Sequence, residues 1–569
     1  MNRLKIALVG LSLLAGAPEV FRRVVMLFEP SMQIVALAAF GLLLALCTVS
    51  LIGAASFRHG FLRWPLAALL AAGSATVDGY QWVVGSFMDY DAFVTMIQSS
   101  GDVGNALTQH GTAIVLAIGK SLALLLGIGL KPAATANIML KLARLFALPI
   151  ILTLTLILFY RGGDGASGLP SSHIGVSFGL LNGYEHLTEG NTPREAVAFR
   201  PVAAESAGDI VLIIDESIAG AYLDINSEHG VYSGLADPKT ASPVFNFGLA
   251  AAVTTCSAGA NATLRYGGTR DNYRQAFRSK PSIWAYAKAA NLETIYVDAQ
   301  RTGGAYQNLM DNDERALIDR WDQFDDVRVL DRDHAVASRL AEYLQDSERQ
   351  FILVNKIGAH FPVNDKFPNS HARYSPMLQR KSLDVSEAPA DELDGRQSNW
   401  VLYRNSYRNT LLWNVGAFFD RFFAEAEIGD STIIYTSDHG QTFHERGEYG
   451  EATHCTGNTQ IEEAVVPLVV IGGPARDHSR WAQAAQQNHD KQSTYRVFPT
   501  LLGLMGYAET DFEKTYGNNI LSDQPDPFTF NDNFSARLGS DPVWIPIPLS
   551  QIAQPPASDY EREMERDEQ

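Results

Sequence analysis

Cysteine is scarce in this chain, with three residues among 569. Three cysteines are too few for the disulfide framework of a small secreted domain. Cys47 lies in an apolar run, where we expect a buried small residue. Cys256 and Cys455 can form one bridge in an oxidising compartment, but their spacing alone does not establish it.

Basic residues are also scarce. The chain has 45 Lys and Arg against 63 Asp and Glu, a formal net charge of −18, and it has no basic stripe. Binding to nucleic-acid phosphates needs clustered Lys and Arg, so we expect no nucleic-acid partner. Charge of either sign is sparse before about Tyr160, and the negative charge of the later part favours solubility.

The part with little charge consists of long apolar stretches. A membrane-spanning helix needs about 20 such residues. We predict five spans: Lys5–Phe21, Met32–Phe57, Phe61–Val84, Gly111–Leu130 and Leu145–Tyr160. The first is the weakest, because a short apolar core after basic residues is also typical of a signal peptide. Residues 1–160 are therefore predicted to be a multi-pass helical domain in the lipid bilayer.

Charged residues between the spans predict the orientation of this domain. Short loops rich in Lys and Arg stay in the cytoplasm. Two loops are basic and one is acidic; their residues are Arg58 and Arg63, then Lys131, Lys141 and Arg144, and in the acidic loop Asp89, Asp91 and Asp102. The chain after Tyr160 then lies outside the cytoplasm, as in an inner-membrane protein with a periplasmic domain. Arg22 and Arg23 fall on the predicted outer side, against this scheme.

Apolar strands alternate with helical segments in the later part. The segments "DIVLIID", "ETIYVDA", "QFILVNKIG", "STIIYTSD" and "VVPLVVIGG" are typical of buried strands. This alternation predicts an α/β domain with a mainly parallel sheet covered on both faces. We expect a Gly-rich linker at 161–205, the α/β domain at 206–550 and a charged tail at 551–569.

Residues of the types that bind metal ions, here called metal-type ligands, follow three of these strands. Glu216 comes after the first, His360 after the third, and Asp438 and His439 after the fourth. Any one of them alone is typical of a helix cap or a solvated loop. Ligands bind at the carboxyl ends of strands in such sheets, so together they predict a metal site. Carboxylate oxygen and imidazole nitrogen suit zinc, with manganese or magnesium as alternatives.

Four motifs carry a resemblance to a known family. In order, "VLIIDES", "IGAHFP", "TSDHGQTFHERGEY" and "VVPLVVI" resemble the sulfatase-type branch of the alkaline phosphatase superfamily. The helical anchor before them is similar to that of the lipid A phosphoethanolamine transferases. The resemblance implies a sulfatase-like fold after a membrane domain.

The resemblance also implies roles for single residues. Glu216 matches the first metal carboxylate of the family, and Asp438 with His439 matches its metal pair at a strand end. His360 and His454 match histidines that bind the phosphoryl substrate or a second metal, although His454 lies a few residues later than usual. Gln441 replaces the usual Glu, which weakens a second metal site.

The nucleophile should lie in "AVTTCSAGANATLRYGG". Transferases place Thr four residues after a Cys, but this position is Ala260 here. Sulfatases use a Cys with an Arg four residues on, and that Arg is missing. The alternatives are Ser257, then Cys256 and Thr255, with Thr263 behind them. We prefer Ser257, because its hydroxyl can be activated by a metal and lies at a predicted helix start, where phosphate meets free N–H groups.

The implied activity is a metal-dependent double displacement through a phospho-enzyme. A phosphoethanolamine-type group would move from a membrane phospholipid donor to an envelope glycolipid or glycan acceptor, such as lipopolysaccharide. The alternatives are a phosphoglycerol transferase, a sulfatase or phosphatase, and an inactive membrane regulator with the same fold.

Overall fold

The computed structural model describes residues 3–28, 34–84, 87–98, 103–133, 138–188, 194–202, 208–346, 349–379, 397–446, 453–455, 459–472, 478–532, 534 and 541–556. The chain divides into two compact units, residues 1–192 with 537–540, and residues 193–536 with 541–569. The predicted tail at 551–569 lies mostly outside the described residues.

The first unit is helical. Its helices are α1 (Arg3–Ala15), α2 (Ala17–Phe28), α3 (Ile34–Ser56), α4 (Gly60–Val84), α5 (Tyr90–Gln98), α6 (Val103–Gly129), α7 (Ile138–Tyr160) and α8 (Ser171–Thr188). Within the described residues, α3, α4, α6 and α7 are long and apolar enough to cross a membrane. These four agree with four of the five predicted spans.

The first predicted span, Lys5–Phe21, differs from the structure. The chain forms two helices, α1 and α2, which are bent by 42° relative to each other. Only when this bent pair is taken as one span does the unit have five. The break falls at Gly16, between the two helices, where glycine lowers the stability of a continuous helix.

Helix α8 lies inside the segment that we expected to be a linker. It packs against α4 and α7 of the first unit. Gly73 of α4 and Gly175 of α8 approach so closely that a Cβ on Gly175 would lie 2.4 Å from the Gly73 carbonyl oxygen. Buried His173 is also hydrogen-bonded through Nε2 to Ser50 Oγ of α3, at 2.9 Å. These contacts make Ser171–Thr188 part of the helical unit.

The second unit is built on an eight-stranded sheet. Its strands are β1 (Ile210–Asp215), β2 (Val244–Ala251), β3 (Glu293–Asp298), β4 (Arg320–Gln323), β5 (Gln350–Asn355), β6 (Thr432–Ser437), β7 (Val465–Gly472) and β8 (Gln492–Ser493). A small antiparallel pair follows, β9 (Thr529–Asn531) and β10 (Trp544–Pro546).

The strand order in the large sheet is β4-β3-β5-β1-β6-β7-β2-β8. Every pairing is parallel except the two made by β7, which is antiparallel to β6 and to β2. The prediction of a mainly parallel sheet is therefore confirmed, with β7 as the strand of opposite direction. Strand β1 lies between β5 and β6, so its carboxyl end is at the centre of the edge where ligands bind.

Helices cover both faces of the sheet. They are α9 (Ser257–Tyr266), α10 (Tyr273–Ser279), α11 (Ile283–Ala289), α12 (Asn312–Arg315), α13 (Arg332–Tyr343), α14 (Gln397–Leu411), α15 (Phe418–Glu425), α16 (Ser479–Gln487), α17 (Val497–Leu504) and α18 (Glu509–Tyr516). A π-helical turn, Leu412–Ala417, joins α14 to α15.

Alternation along the central strand separates two apolar cores. Val211 and Ile213 of β1 pack into a cluster with α13, α14 and α15. Ile210, Leu212 and Ile214 pack into the opposite cluster, with α9, α11 and α17. Side chains alternate between the two faces of a strand, and so both faces of β1 are fully buried.

Candidate active site

Two neighbouring strands bring the predicted metal ligands together. Strands β1 and β6 pair in parallel register up to Asp215 and Ser437. Glu216 follows β1 directly, and Asp438 and His439 follow β6 directly. Because parallel neighbours end at the same edge, these three side chains meet there.

The three side chains form a compact buried group. One donor atom from each lies within 4.8 Å of the other two. His439 Nε2 is 3.4 Å from Glu216 Oε1 and 3.7 Å from Asp438 Oδ2. All three residues are buried.

Hydrogen bonds orient this group and leave one of its carboxylate oxygens without a partner among the described residues. His439 Nδ1 is 2.7 Å from the Gly440 carbonyl oxygen. A carbonyl only accepts, so Nδ1 is assigned a proton, and Nε2 is the ring nitrogen that faces the two carboxylates. Asp438 Oδ1 accepts from the backbone N–H groups of Ser217 and His439, whereas buried Asp438 Oδ2 has no partner among the described residues. A carboxylate oxygen without a partner beside an imidazole nitrogen is a pair of ligand atoms that fits a divalent cation.

The pKa values of the group reflect how closely its charges are held together. Burial opposes the ionisation of Glu216, but the hydrogen bond and charge of His439 outweigh it and hold the pKa of Glu216 well below its ordinary value. Burial and the charge of Glu216 raise the pKa of Asp438 to about 7. Burial lowers the pKa of His439, but the charges of Asp438 and Glu216 raise it to about 9 overall. Two carboxylates held this close are the arrangement that a bound cation would neutralise.

Gln300 orients the metal-type carboxylate and was not among the predicted site residues. Its Nε2 donates to Glu216 Oε2 at 3.0 Å and to the Lys356 carbonyl oxygen at 2.8 Å. This leaves Glu216 Oε1 facing His439. Gln300 lies two residues after β3, so the same strand-end argument could have found it. A partner of this kind fixes the direction of a ligand.

A buried ion pair supports the edge beneath the ligands. Lys356 Nζ donates to Asp215 Oδ2 and to the Asn414 carbonyl oxygen, both at 2.6 Å. It also lies 3.9 Å from Asp333 Oδ2, and that carboxylate accepts from the N–H groups of Ile357 and Gly358. Lys356 therefore joins the end of β1, next to Glu216, to the loop that leads to His360.

Ser257 is the candidate nucleophile that reaches the ligand group. It is the first residue of α9. Its Oγ lies 3.0 Å from His439 Nε2 and 3.2 Å from Glu216 Oε1. The first N–H groups of a helix have no partner within it, so this hydroxyl lies where an anion is favoured.

The other candidate nucleophiles are placed differently. Cys256 is bonded to Cys455 in a disulfide, and in this state it offers no thiolate. The Thr263 hydroxyl donates to the Gly259 carbonyl oxygen within α9. Thr255 is buried before the helix, and the structure gives it no hydrogen bond to Glu216, Asp438 or His439. Ala260 lies in the second turn of α9.

The disulfide also places His454 against the ligand group. The His454 ring stacks on the His439 ring with a centroid distance of 4.2 Å and an interplanar angle of 22°. Burial and the charge of His439 lower the pKa of His454 to about 3. Because Cys256 precedes Ser257 and Cys455 follows His454, the bridge joins the start of α9 to the loop that contains His454.

His360 and Gln441 differ in how they relate to the group. His360 Nδ1 is 2.8 Å from the Phe361 carbonyl oxygen, and the charge of His360 helps to lower the pKa of Glu216. Gln441 is occupied elsewhere: its Nε2 donates to the Ala359 carbonyl oxygen at 3.3 Å, and its Oε1 accepts from the Tyr403 hydroxyl at 3.4 Å. Gln441 therefore supports the loop before His360 and makes no described contact with the three ligands.

Comparisons with known proteins agree with this architecture. The family model described as Sulfatase matches residues 209–507. The integral membrane protein lipooligosaccharide phosphoethanolamine transferase A from Neisseria meningitidis matches with a TM-score of 0.59 and 16% identity, covering 89% of this chain and 95% of that one. At this identity the likeness shows a shared fold: membrane helices followed by a sulfatase-like domain. The C-terminal periplasmic domain of EcEptC from Escherichia coli, in complex with Zn, matches with a TM-score of 0.47 and 15% identity, covering 62% of this chain and 96% of that one. No curated protein matches the sequence.

Proposed function

Because this chain belongs to the sulfatase family, we propose that it is a metal-dependent phosphoethanolamine-type transferase. It takes the group from a membrane phospholipid and gives it to an envelope glycolipid or glycan. Ser257 is the nucleophile.

One observation carries the proposal: the Ser257 hydroxyl lies 3.0 Å from His439 Nε2 and 3.2 Å from Glu216 Oε1. A serine at a helix start, beside a buried set of metal-type ligands, is suited to nucleophilic attack on phosphorus. A purely structural serine at this position would not need an open carboxylate oxygen, Asp438 Oδ2, in the same group. This supports an enzyme over an inactive regulator.

The residues fit a zinc ion held by Glu216, Asp438 and His439. When bound, zinc would lower the pKa of the Ser257 hydroxyl and balance the charge of the phosphoryl oxygens. Gln300 keeps Glu216 directed to the site. His360 and His454 are available as imidazoles for the substrate, and Gln441 does not add a second ligand set.

The phosphoethanolamine group is transferred in two steps, first to Ser257 and then to the acceptor. In the first, Ser257 Oγ forms a bond to phosphorus, the bond from phosphorus to the glyceride oxygen breaks, and that oxygen takes up a proton. In the second, an acceptor hydroxyl oxygen bonds to phosphorus, the bond to Ser257 Oγ breaks, and the serine regains its proton. The proton that Ser257 loses in the first step passes to the leaving oxygen, and the acceptor proton passes to Ser257 in the second, with the His360 imidazole as the proposed carrier.

The helical unit is the reason to propose a membrane lipid as the donor substrate. Four helices are long and apolar enough to span a bilayer, and tethering to a membrane raises the effective concentration of its lipids. The basic loops predict that the α/β unit lies in the periplasm of a cell with an inner membrane. Both partners then occur in the same compartment as the site.

The test uses the full chain in vesicles that contain phosphatidylethanolamine labelled in an acyl chain. Wild type should release labelled diacylglycerol, and a peptide containing Ser257 should gain the mass of phosphoethanolamine. Ser257→Ala should lose nearly all release and the mass gain while its zinc content stays at the wild-type level. Thr255→Ala is the matched control and should keep both.

The transferred group and the acceptor are identified in an experiment on cells. Mass spectrometry of envelope lipids with and without the protein should show a phosphoethanolamine adduct that needs Ser257. Adducts that persist in Ser257→Ala would refute the assigned nucleophile. Release of free phosphoethanolamine to water without any adduct would favour a hydrolase, and a phosphoglycerol adduct would favour the other transferase.

A further inference from the structure

The helical unit contains a cavity of about 440 Å³ that is separate from the metal-type ligands. It is lined by parts of α1, α2, α3, α4 and α6 and by the start of α8. Most of its wall is aliphatic, with Leu13, Leu51 and Leu124 among the lining residues. A cavity of this kind between membrane helices suits a hydrocarbon chain.

One end of the cavity is polar and contains a buried ion pair. Lys120 Nζ, which lines the cavity, is 2.8 Å from Asp78 Oδ1. Asp78 also accepts from the hydroxyls of Ser74, at 2.6 Å, and Ser171, at 2.5 Å. Both oxygens of this fully buried carboxylate are therefore satisfied. Ionisable groups within membrane helices are costly and commonly mark a functional site.

Glu19, at the same end, has an oxygen without a partner. Its Oε1 accepts from Trp82 Nε1 at 3.0 Å. Its buried Oε2 has no hydrogen-bond partner among the described residues. Arg23, one helical turn further along α2, makes no ion pair with Glu19 in the described part of the chain. Glu19 lines the cavity, so its Oε2 is available to a hydrogen-bond donor that enters there.

We propose that this cavity binds a bilayer amphiphile whose headgroup carries a cationic amine. The ammonium group donates to Glu19 Oε2 and gives this oxygen its hydrogen bond, and the hydrocarbon chain lies along the aliphatic wall. Lys120 uses one of its three N–H donors on Asp78, so it can still donate to an anionic oxygen of the same headgroup. A lipid without an amine would leave Glu19 uncompensated and is disfavoured.

The proposal does not rest on the proposed transferase activity. Every residue in it belongs to the first unit, and none is among the metal-type ligands. Occupancy can therefore be measured in the Ser257→Ala chain, where turnover is expected to be lost. The two ideas can then fail separately.

The test uses the full chain in lipid nanodiscs with two probes, phosphatidylethanolamine and phosphatidylglycerol, which carry the same photoreactive group in an acyl chain. After illumination, mass spectrometry locates the labelled peptides. The phosphatidylethanolamine probe should label peptides that contain residues 12–24 or 44–51. The phosphatidylglycerol probe should label them about tenfold less, as expected for the loss of one charge-assisted hydrogen bond.

Variants of residues that line the cavity test whether the lipid headgroup is recognised there. Glu19→Gln should lower phosphatidylethanolamine labelling about tenfold. The matched control, Asp164→Asn, removes a negative charge from an exposed side chain of the same unit and should label as wild type. Thr48→Phe, which fills the cavity, should lower labelling by both probes.

Three results would overturn the proposal: equal labelling by the two probes in the wild type, labelling confined to other peptides, or a Glu19→Gln variant that labels like Asp164→Asn. If Glu19→Gln does not fold, the comparison of the two probes in the wild type decides alone. Ser257→Ala should label like the wild type, and a loss there would assign the bound lipid to the metal-type site instead.

Discussion

Replacing Lys356 with Met should destabilise the α/β unit strongly, because this lysine neutralises carboxylates that cannot reach water. Lys356 and Asp215 are both fully buried and 2.6 Å apart, and Asp333 lies 3.9 Å from the same ammonium group. The Lys356 ammonium also lies 4.0 Å from the centroid of the Phe418 ring. Methionine keeps the length of the side chain and removes its charge and hydrogen bonds.

The expected cost follows from the carboxylates that remain. Removing one partner of a buried ion pair costs about 3–5 kcal/mol, since the other charge is left without compensation. Burial raises the pKa of Asp215 to about 6 even with Lys356 present, since the lysine charge only partly opposes that rise. Without the lysine this pKa rises further, so the variant should recover stability as the pH falls.

The matched control is another lysine paired with aspartate. Lys288 Nζ lies 2.7 Å from Asp319 Oδ1, but the side chains are 42% and 36% exposed. Lys288→Met should therefore cost only about 0–1 kcal/mol. A double variant, Lys356→Met with Asp215→Asn, should regain part of the loss because it leaves no charge at position 215.

The assay is urea unfolding of the full chain in detergent, followed by tryptophan fluorescence, with free energies compared between variants. Wild type and Lys288→Met should nearly coincide, and Lys356→Met should unfold at a clearly lower urea concentration. If Lys356→Met costs no more than Lys288→Met, the buried pair is not a stabilising element and the reasoning is wrong.

Three further predictions concern the bridge, a buried histidine and the orientation. Replacing both Cys256 and Cys455 with Ser should lower turnover roughly tenfold to a hundredfold, because Ser257 would be misplaced, while the zinc content stays unchanged. The control is Cys47→Ser. Full activity in the double variant would contradict the positioning role of the disulfide. Burial lowers the pKa of His334 to about 4, so the folded state takes up fewer protons than the unfolded state between pH 6.5 and 4. Between pH 7 and pH 5 the wild type should lose about 2 kcal/mol more unfolding free energy than His334→Gln; parallel pH dependences would rule this out. A phosphatase reporter fused after Tyr160 should be active and one fused near Arg58 inactive, whereas the reverse pattern would place the α/β unit in the cytoplasm.

Local patterns were sufficient to predict much of the fold. The span expected at 32–57 forms α3, Ile34–Ser56, because apolar length is a property of one segment. The apolar, β-branched strands likewise predicted the parallel sheet. Helix α8 was missed because a Gly-rich stretch is typical of a linker, and what holds α8 is the close approach to Gly73, which no local signal reveals.

The site was only partly predictable, because some of its contacts join residues that are distant in the sequence. The strand-end argument selects Glu216, Asp438 and His439 from the sequence alone, and in the structure these residues meet. Thr255, Cys256 and Ser257 are consecutive, so only the direction of the backbone at the start of α9 separates them. The partner of Lys356, Asp215, lies 141 positions away, and so the pair depends on tertiary structure.

The distance along the chain between Ser257 and His439 bears on how the protein matures. These residues touch, yet 182 positions separate them. A polypeptide that emerges from its N-terminal end would deliver the serine early and the histidine late, and β6 must then pair with β1 before the ligands meet. The three candidate metal ligands therefore cannot come together before the chain has been made as far as His439. Metal binding by these three residues would then have to follow the docking of β6 against β1.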